Sequence, residues 1–378
     1  MATQYIQSAY EVLAKDIQSL GVDTVFGLIS DDTALFVTAL DMIGVQFHGA
    51  RHENTAITMA EGYASTSGRL GIAVVGRGPA TANGMHAAVY ANRTGSPVLI
   101  IYGDAPIPGG HINTLGPDYK EFNSTMVLSA AGIQVFRATS PRGARTALAD
   151  AAATAQLGNV AALLLPTSVQ LEKFDINDDA EEPPVIPDPP QCEKATPQTI
   201  STTAELLNKS RRPLIVAGVG AHRAGANHAL ENLADRIGAL LITSARGKDM
   251  FRGNPNNLGI IGSFSHSVAR RFIDQTDCVL VFGASLNFWT TSFGTFVPAV
   301  PLIQVDSKRT NIGKYSNADV AVVGDAQLVA EQLLDVLPDR SEEDKPFHSQ
   351  EVRQSLAEFD PAGEFHAAHT ARTCLLYT

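Results

Sequence analysis

The chain has 378 residues, 44% hydrophobic and 18% charged, a composition ordinary for globular proteins and long enough for two or three separately cored domains. Lys+Arg 28 against Asp+Glu 39 gives a net charge of -11, which argues against a nucleic acid or an acidic membrane surface as partner, because binding a polyanion needs a basic face. Cys192, Cys278 and Cys374 lie far apart with no Cys-x-x-Cys pair, so neither a disulfide framework nor a thiolate metal site is indicated. A cytoplasmic setting is expected, since the N-terminus lacks a basic start followed by an apolar stretch and no run approaches the roughly 18 apolar residues that span a bilayer.

In chain order, helix-like stretches at residues 7–20, 33–43, 53–67 and 141–157 alternate with short apolar runs at 24–29, 72–75, 98–102 and 161–165. Alternating strand and helix predicts a parallel sheet covered on both faces. Six prolines (Pro183, Pro184, Pro187, Pro189, Pro190, Pro197) then interleave with acidic residues, which predicts an extended linker over 175–197. The rhythm resumes with apolar runs at 214–217, 240–243, 278–282, 302–305 and 320–323. The expected fold is α/β: two doubly wound parallel-sheet domains, 1–174 and 198–338, joined by that Pro-rich acidic linker. Residues 339–378 read as a polar linker and the start of a truncated third region, the final apolar run 374–378 resembling a helix cut mid-turn.

Two segments could carry chemistry. Glu53 opens a helix whose spacing places Glu53, Ile57, Ala60 and Ala64 on one small-residue face, so its carboxylate would be partly desolvated. An acid in a first turn is equally accounted for by the helix dipole. The strand at 72–75 runs directly into Gly76-Arg77-Gly78-Pro79-Ala80-Thr81-Ala82-Asn83. Glycines at such a turn let a ligand approach the backbone, and open α/β sheets bind ligands at the carboxyl ends of their strands. A tight turn explains the glycines as well.

Together, Arg51-His52-Glu53, Ala56, Met59-Ala60, Gly62-Tyr63-Ala64, Gly78-Pro79, Asn83 and the run 97–103 resemble the pyrimidine-binding domain of thiamine-diphosphate-dependent enzymes of the acetolactate synthase and 2-oxo acid decarboxylase type. Arg212-Pro213, the run 214–220, Ser244-Ala-Arg-Gly-Lys248, Leu258-Gly259 and Gln304-Val-Asp306 are similar to that family's central domain, so the likeness covers about residues 4–337. The resemblance implies that Glu53 is catalytic, bonding a ring nitrogen of the cofactor's aminopyrimidine and favouring the tautomer that takes a proton from the thiazolium carbon. It also implies cofactor contacts from Ser30, Gly78, Pro79 and Asn83, a 2-oxo acid or related carbonyl as small-molecule substrate, and a homodimer or homotetramer. Decarboxylation and carboligation both fit.

The departures are specific. Where the family has Gly-x-Pro-Gly the chain has Gly27-Leu-Ile-Ser-Asp31, and Gly-Pro-Gly is Gly78-Pro79-Ala80. No stretch matches the flavin-contacting segments of acetolactate synthases, which counts against FAD. Gly109-Gly-His-Ile-Asn-Thr-Leu-Gly116 resembles a decarboxylase histidine motif, with His111 displaced by one place. The family's third domain binds magnesium and the diphosphate through Gly-Asp-Gly and a later Asn-Asn, but here Gly103-Asp104 and Gly324-Asp325 are each followed by alanine and Asn256-Asn257 has no Gly-Asp-Gly upstream, so no metal ligand is assigned, magnesium is expected only with that domain, and the chain is expected to be a fragment inactive alone. The alternatives are a non-catalytic paralogue or assembly subunit, and a flavin- or nicotinamide-binding protein using Gly218-Val-Gly220 and Asp306. The third glycine of the dinucleotide fingerprint is missing, because position 223 is arginine.

Overall fold

The computed structural model describes residues 6–107, 120–175, 192–295 and 298–370. They divide into two compact units, Met1–Pro190 and Gln191–Thr378. The first unit runs β1 (Ile6–Ser8), α1 (Ala9–Ser19), β2 (Thr24–Gly27), α2 (Ala34–Met42), β3 (Gln46–Gly49), α3 (Glu53–Ser67), β4 (Gly71–Val75), α4 (Pro79–Thr94), β5 (Val98–Asp104), α5 (Ser124–Ala130), β6 (Gln134–Arg137), α6 (Pro141–Gln156), β7 (Val160–Pro166), α7 (Thr167–Leu171) and β8 (Lys173–Asp175). Its main sheet has the order β3-β2-β4-β5-β7-β6, and every pairing in it is parallel. Strands β4, β5 and β7 are buried along their length, as near-continuous apolar strands covered on both faces must be. One face packs on α1, α2 and α6 around Leu13, Ile17, Leu40 and Leu148, the other on α3 and α4 around Ile57, Ala60 and Ala88.

The second unit runs α8 (Pro197–Lys209), β9 (Pro213–Ala217), α9 (Val219–Arg223), α10 (Asn227–Ile237), β10 (Leu240–Thr243), β11 (Asn257–Ile260), α11 (Ser267–Ile273), β12 (Cys278–Phe282), β13 (Leu302–Asp306), β14 (Val320–Val323), α12 (Ala326–Val336), α13 (Gln350–Ala357) and α14 (Pro361–Thr370). Its six strands, ordered β11-β10-β9-β12-β13-β14, are again all parallel. The expected doubly wound α/β class holds in both units.

Several boundaries differ from expectation. Gln7 belongs to β1, and α1 starts two residues later because Ser8 and Glu11 form a capping box that fixes the helix entry. Pro197 is not linker: it opens α8 behind the Thr196 cap, where its missing N–H costs nothing. Residues beyond 338 are part of the second unit, since Phe347 and Val352 are buried with Leu214 and Ile242, and the Arg340 guanidinium donates to the carbonyls of Ser210, Ile237 and Leu207. Most of the linker (176–191), the motif around His111 (108–119) and the terminal run 371–378 lie outside the described residues.

Candidate active site

Chain order puts the switch point of the first sheet between β2 and β4: after β2 the chain moves outward to β3, and from β4 it moves the other way to β5. Ligands of open α/β sheets bind in the crevice at the carboxyl ends flanking such a point. Three loops converge there, 28–33 after β2, 50–52 after β3 and 76–78 after β4, and between them they carry or introduce Ser30, Glu53, Gly78, Pro79 and Asn83.

Glu53 is the first residue of α3 and is half-buried. The His52 ring Nδ1 caps the helix by accepting from the Asn54 N–H at 3.1 Å, and the Asn54 side chain accepts the Ala87 N–H at 2.9 Å, tying the start of α3 to α4. Across that junction Asn83 Nδ2 donates to Glu53 Oε2 at 3.1 Å. The helix N-terminus and the Asn83 amide both favour a negative charge here. The expected small-residue face is present, with Ala56, Ile57, Ala60 and Ala64 buried behind the carboxylate. Gly78 caps α4 at φ +63°, a conformation that favours glycine, and Pro79 follows at N1. The Lys120 carbonyl passes so close to Gly78 that a Cβ there would clash.

Ser30 is placed differently from Glu53. Its hydroxyl donates to Asp32 Oδ2 at 3.2 Å, within a charge network that sequence spacing gave no hint of. Asp32 is only 5% exposed and accepts from Arg77 Nε at 2.7 Å and Lys120 Nζ at 2.8 Å. Lys120 also bonds Asp31, whose carboxyl it holds below the ordinary carboxylate range, and Gln170 Nε2 donates to the Asp32 carbonyl at 2.8 Å. The loop lacking the family's Pro-Gly is thus anchored through the buried Asp32 carboxylate, paired with Arg77 and Lys120.

Beneath Glu53, Tyr102 near the end of β5 is wholly buried, and among the described residues its hydroxyl has no hydrogen-bond partner. Burial first, and the Glu53 charge second, push its ionisation far above the ordinary phenol value. Tyr102 closes the run 98–102, whose apolar pattern conceals this polar end.

The second unit's switch point lies between β9 and β12. There the Gly218 N–H donates to the Phe282 carbonyl at 2.8 Å and the Gly220 N–H to the Gly283 carbonyl at 3.0 Å, so backbone donors that would face a pyrophosphate are spent on the chain itself. Asp306 Oδ1 accepts from the Lys308 N–H at 2.9 Å and Asn311 Nδ2 at 3.0 Å, which is turn chemistry. Trp289 is 57% exposed beside Phe288 and Phe293.

Residues 7–127 match the family model "Thiamine pyrophosphate enzyme, N-terminal TPP binding domain", and residues 200–333 match "Thiamine pyrophosphate enzyme, central domain". The chain belongs to the thiamine pyrophosphate enzymes. Among curated relatives it is 28% identical over 339 residues to the "Probable acetolactate synthase large subunit" of Methanocaldococcus jannaschii, covering 86% of this chain and 56% of that protein. It is 26% identical over 337 residues to the sulfoacetaldehyde acetyltransferase of Roseovarius nubinhibens (87% and 54% covered), and 28% over 352 residues to the "Probable 2-ketoarginine decarboxylase AruI" of Pseudomonas aeruginosa (92% and 61%). The chain therefore spans little more than half the length of the curated relatives it matches.

The chemistry of the donors tests the fit to thiamine diphosphate. A carboxylate at a helix N-terminus and a neighbouring amide suit the polar edge of an aminopyrimidine. Among the described residues no group of three or more His, Cys, Asp or Glu is placed to hold a metal, and none is assigned to magnesium. No helix among them is long and apolar enough to cross a membrane.

Proposed function

We propose that this chain supplies the aminopyrimidine-binding side of a thiamine-diphosphate-dependent site that breaks or forms a carbon-carbon bond next to a carbonyl, with a 2-oxo acid or related small molecule as substrate. The observation that carries this reading is Glu53, held by Asn83 at the N-terminus of α3 and at the switch point of the sheet matched by the N-terminal TPP-binding model. Glu53 would share a proton with the ring edge of the cofactor, Asn83 would keep the carboxylate oriented, and the backbone at Ser30, Gly78 and Pro79 would border the ring. When bound, the cofactor supplies the electron sink for the carbon chemistry. The diphosphate and its magnesium are given to residues other than those described, so turnover is expected only when these are supplied, from a longer chain or from a partner. Two copies are proposed to associate through the first unit, where Tyr90, Phe122 and Met126 are exposed.

A second reading, a non-catalytic paralogue, draws support from the loop at Ser30, where a charge network stands in place of the Pro-Gly turn. Near-ultraviolet circular dichroism with added thiamine diphosphate and magnesium separates the two. The proposal expects an induced band in the wild type and in Asp306→Ala that is lost in Glu53→Gln. A band that survives Glu53→Gln, or none in the wild type at millimolar cofactor, contradicts it.

A further inference from the structure

A buried hydroxyl with no partner is costly, about 1–3 kcal/mol, and native structures retain one where it has something to do. The Tyr102 hydroxyl is such a group, and its surroundings indicate what it serves. Tyr102 faces the side of the sheet packed by α3 and α4. A Cβ built at Gly84 of α4 would lie 3.7 Å from the Tyr102 oxygen and 3.9 Å from Glu53 Cβ. The hydroxyl and the base of the glutamate side chain therefore flank the same point of α4, where the missing side chain of Gly84 makes room for Ile57 Cδ1, 2.5 Å from that point. Glu53 Oε2 takes Asn83, while a carboxylate has room for further donors on Oε1.

We propose that Tyr102 is a positioning residue for Glu53: when the carboxylate turns toward β5, the buried Tyr102 O–H donates to Oε1 while Asn83 holds Oε2, fixing the carboxylate between two elements and stabilising its ionised form. The assignment of a task to that carboxylate rests on the proposed function; the coupling between the two side chains does not. The electrostatic influence of Glu53 on the phenol is in keeping with it. Other groups on the surrounding elements do not replace Tyr102. Arg51, His52 and His86 are exposed, His52 is committed to the Asn54 N–H, Arg77 to Asp32, and Glu61, further along α3, accepts from Ser96 Oγ at 2.7 Å.

The test follows the side-chain carboxyl carbon of Glu53 by 13C NMR through a pH titration of the cofactor-free full chain, with Glu53→Gln identifying the resonance. A donor to the ionised form lowers the carboxyl pKa, so Tyr102→Phe is expected to raise the Glu53 midpoint by about one pH unit. Its melting temperature should stay close to that of the wild type, since the half-buried Glu53 carboxylate keeps Asn83 and solvent as partners. A second readout leaves the tyrosine in place: in Glu53→Gln the 13Cζ resonance of Tyr102 should move while those of the other tyrosines do not. Coincident Glu53 titrations in wild type and Tyr102→Phe, or an unmoved Tyr102 resonance in Glu53→Gln, overturn the proposal. Because no cofactor is present, this result is independent of whether the chain binds one.

Discussion

Asp16 on α1 and Arg145 on α6 form a two-pronged ion pair inside the first unit: Arg145 Nε reaches Oδ2 at 2.8 Å and its Nη2 reaches Oδ1 at 2.9 Å. Both residues are buried, so what matters for stability is what remains when one partner goes. Arg145→Ala would strand a buried carboxylate, and the expected loss is about 3–5 kcal/mol, read from the urea midpoint. Replacing both together, as Asp16→Leu with Arg145→Met, should recover most of it, because well-packed apolar side chains can substitute for a buried pair. Equal losses in single and double variants would contradict this account. Glu53 and Asn83 were legible in the sequence because the family pattern marks both, and their hydrogen bond brings them together. Asp32, Arg77 and Lys120 were not. Their partners lie 45 and 88 positions away in sequence, and no helical or strand period brings such charges into register.

At the scale of elements, burial explains both what was read and what was missed. The strands seen as apolar runs include the buried ones, whereas β3, β6 and β11 are edge strands of the sequences Gln-Phe-His-Gly, Gln-Val-Phe-Arg and Asn-Leu-Gly-Ile, with mostly exposed or half-buried side chains. An edge strand can do with fewer apolar residues, and these three do, whereas the edge strand β14, Val-Ala-Val-Val, keeps an apolar run and is read as one. The same reasoning explains the polar stretch after 338. Few of its side chains enter the core, yet Phe347 and Val352 suffice to dock it.

His348 in that segment is buried and its ring Nε2 lies 2.8 Å from the Ala239 carbonyl, which fits a neutral ring donating from Nε2. Burial, the largest influence, holds its pKa below 6.5 against the opposing pull of the Ala239 carbonyl and Asp235. His266, likewise buried in part, is shifted the same way despite Glu364. A histidine with a lowered folded pKa binds fewer protons folded than unfolded, so its contribution is intact above 6.5 and is lost as pH falls below it toward the folded value. The melting temperature should therefore drop on acidification from about pH 7.5 to 5.5, and by less in His348→Gln, with His266 accounting for part of the remainder. The same acid-induced drop in both proteins would contradict the assignment to His348.

At the scale of the whole molecule, two doubly wound units in one chain could be read from the alternation of strands and helices before any coordinates. What this class of fold does could not, because such sheets carry many chemistries. The separated motifs matching one enzyme family supplied that link. Association through the first unit should appear as a dimer or tetramer in sedimentation velocity at micromolar concentration, and a lone monomer peak there would refute it.

The claim on which the functional account depends is that Glu53 faces the cofactor's aminopyrimidine. Saturation-transfer NMR of millimolar thiamine diphosphate over the full chain tests it atom by atom, since even binding worth about 4 kcal/mol is visible at that concentration. The account predicts saturation strongest at the aminopyrimidine ring proton and methyl group, and a dissociation constant from a cofactor titration raised at least tenfold in Glu53→Gln, a loss of about 1.4 kcal/mol or more. Saturation confined to the thiazolium end, or an aminopyrimidine signal indifferent to Glu53→Gln, would contradict it.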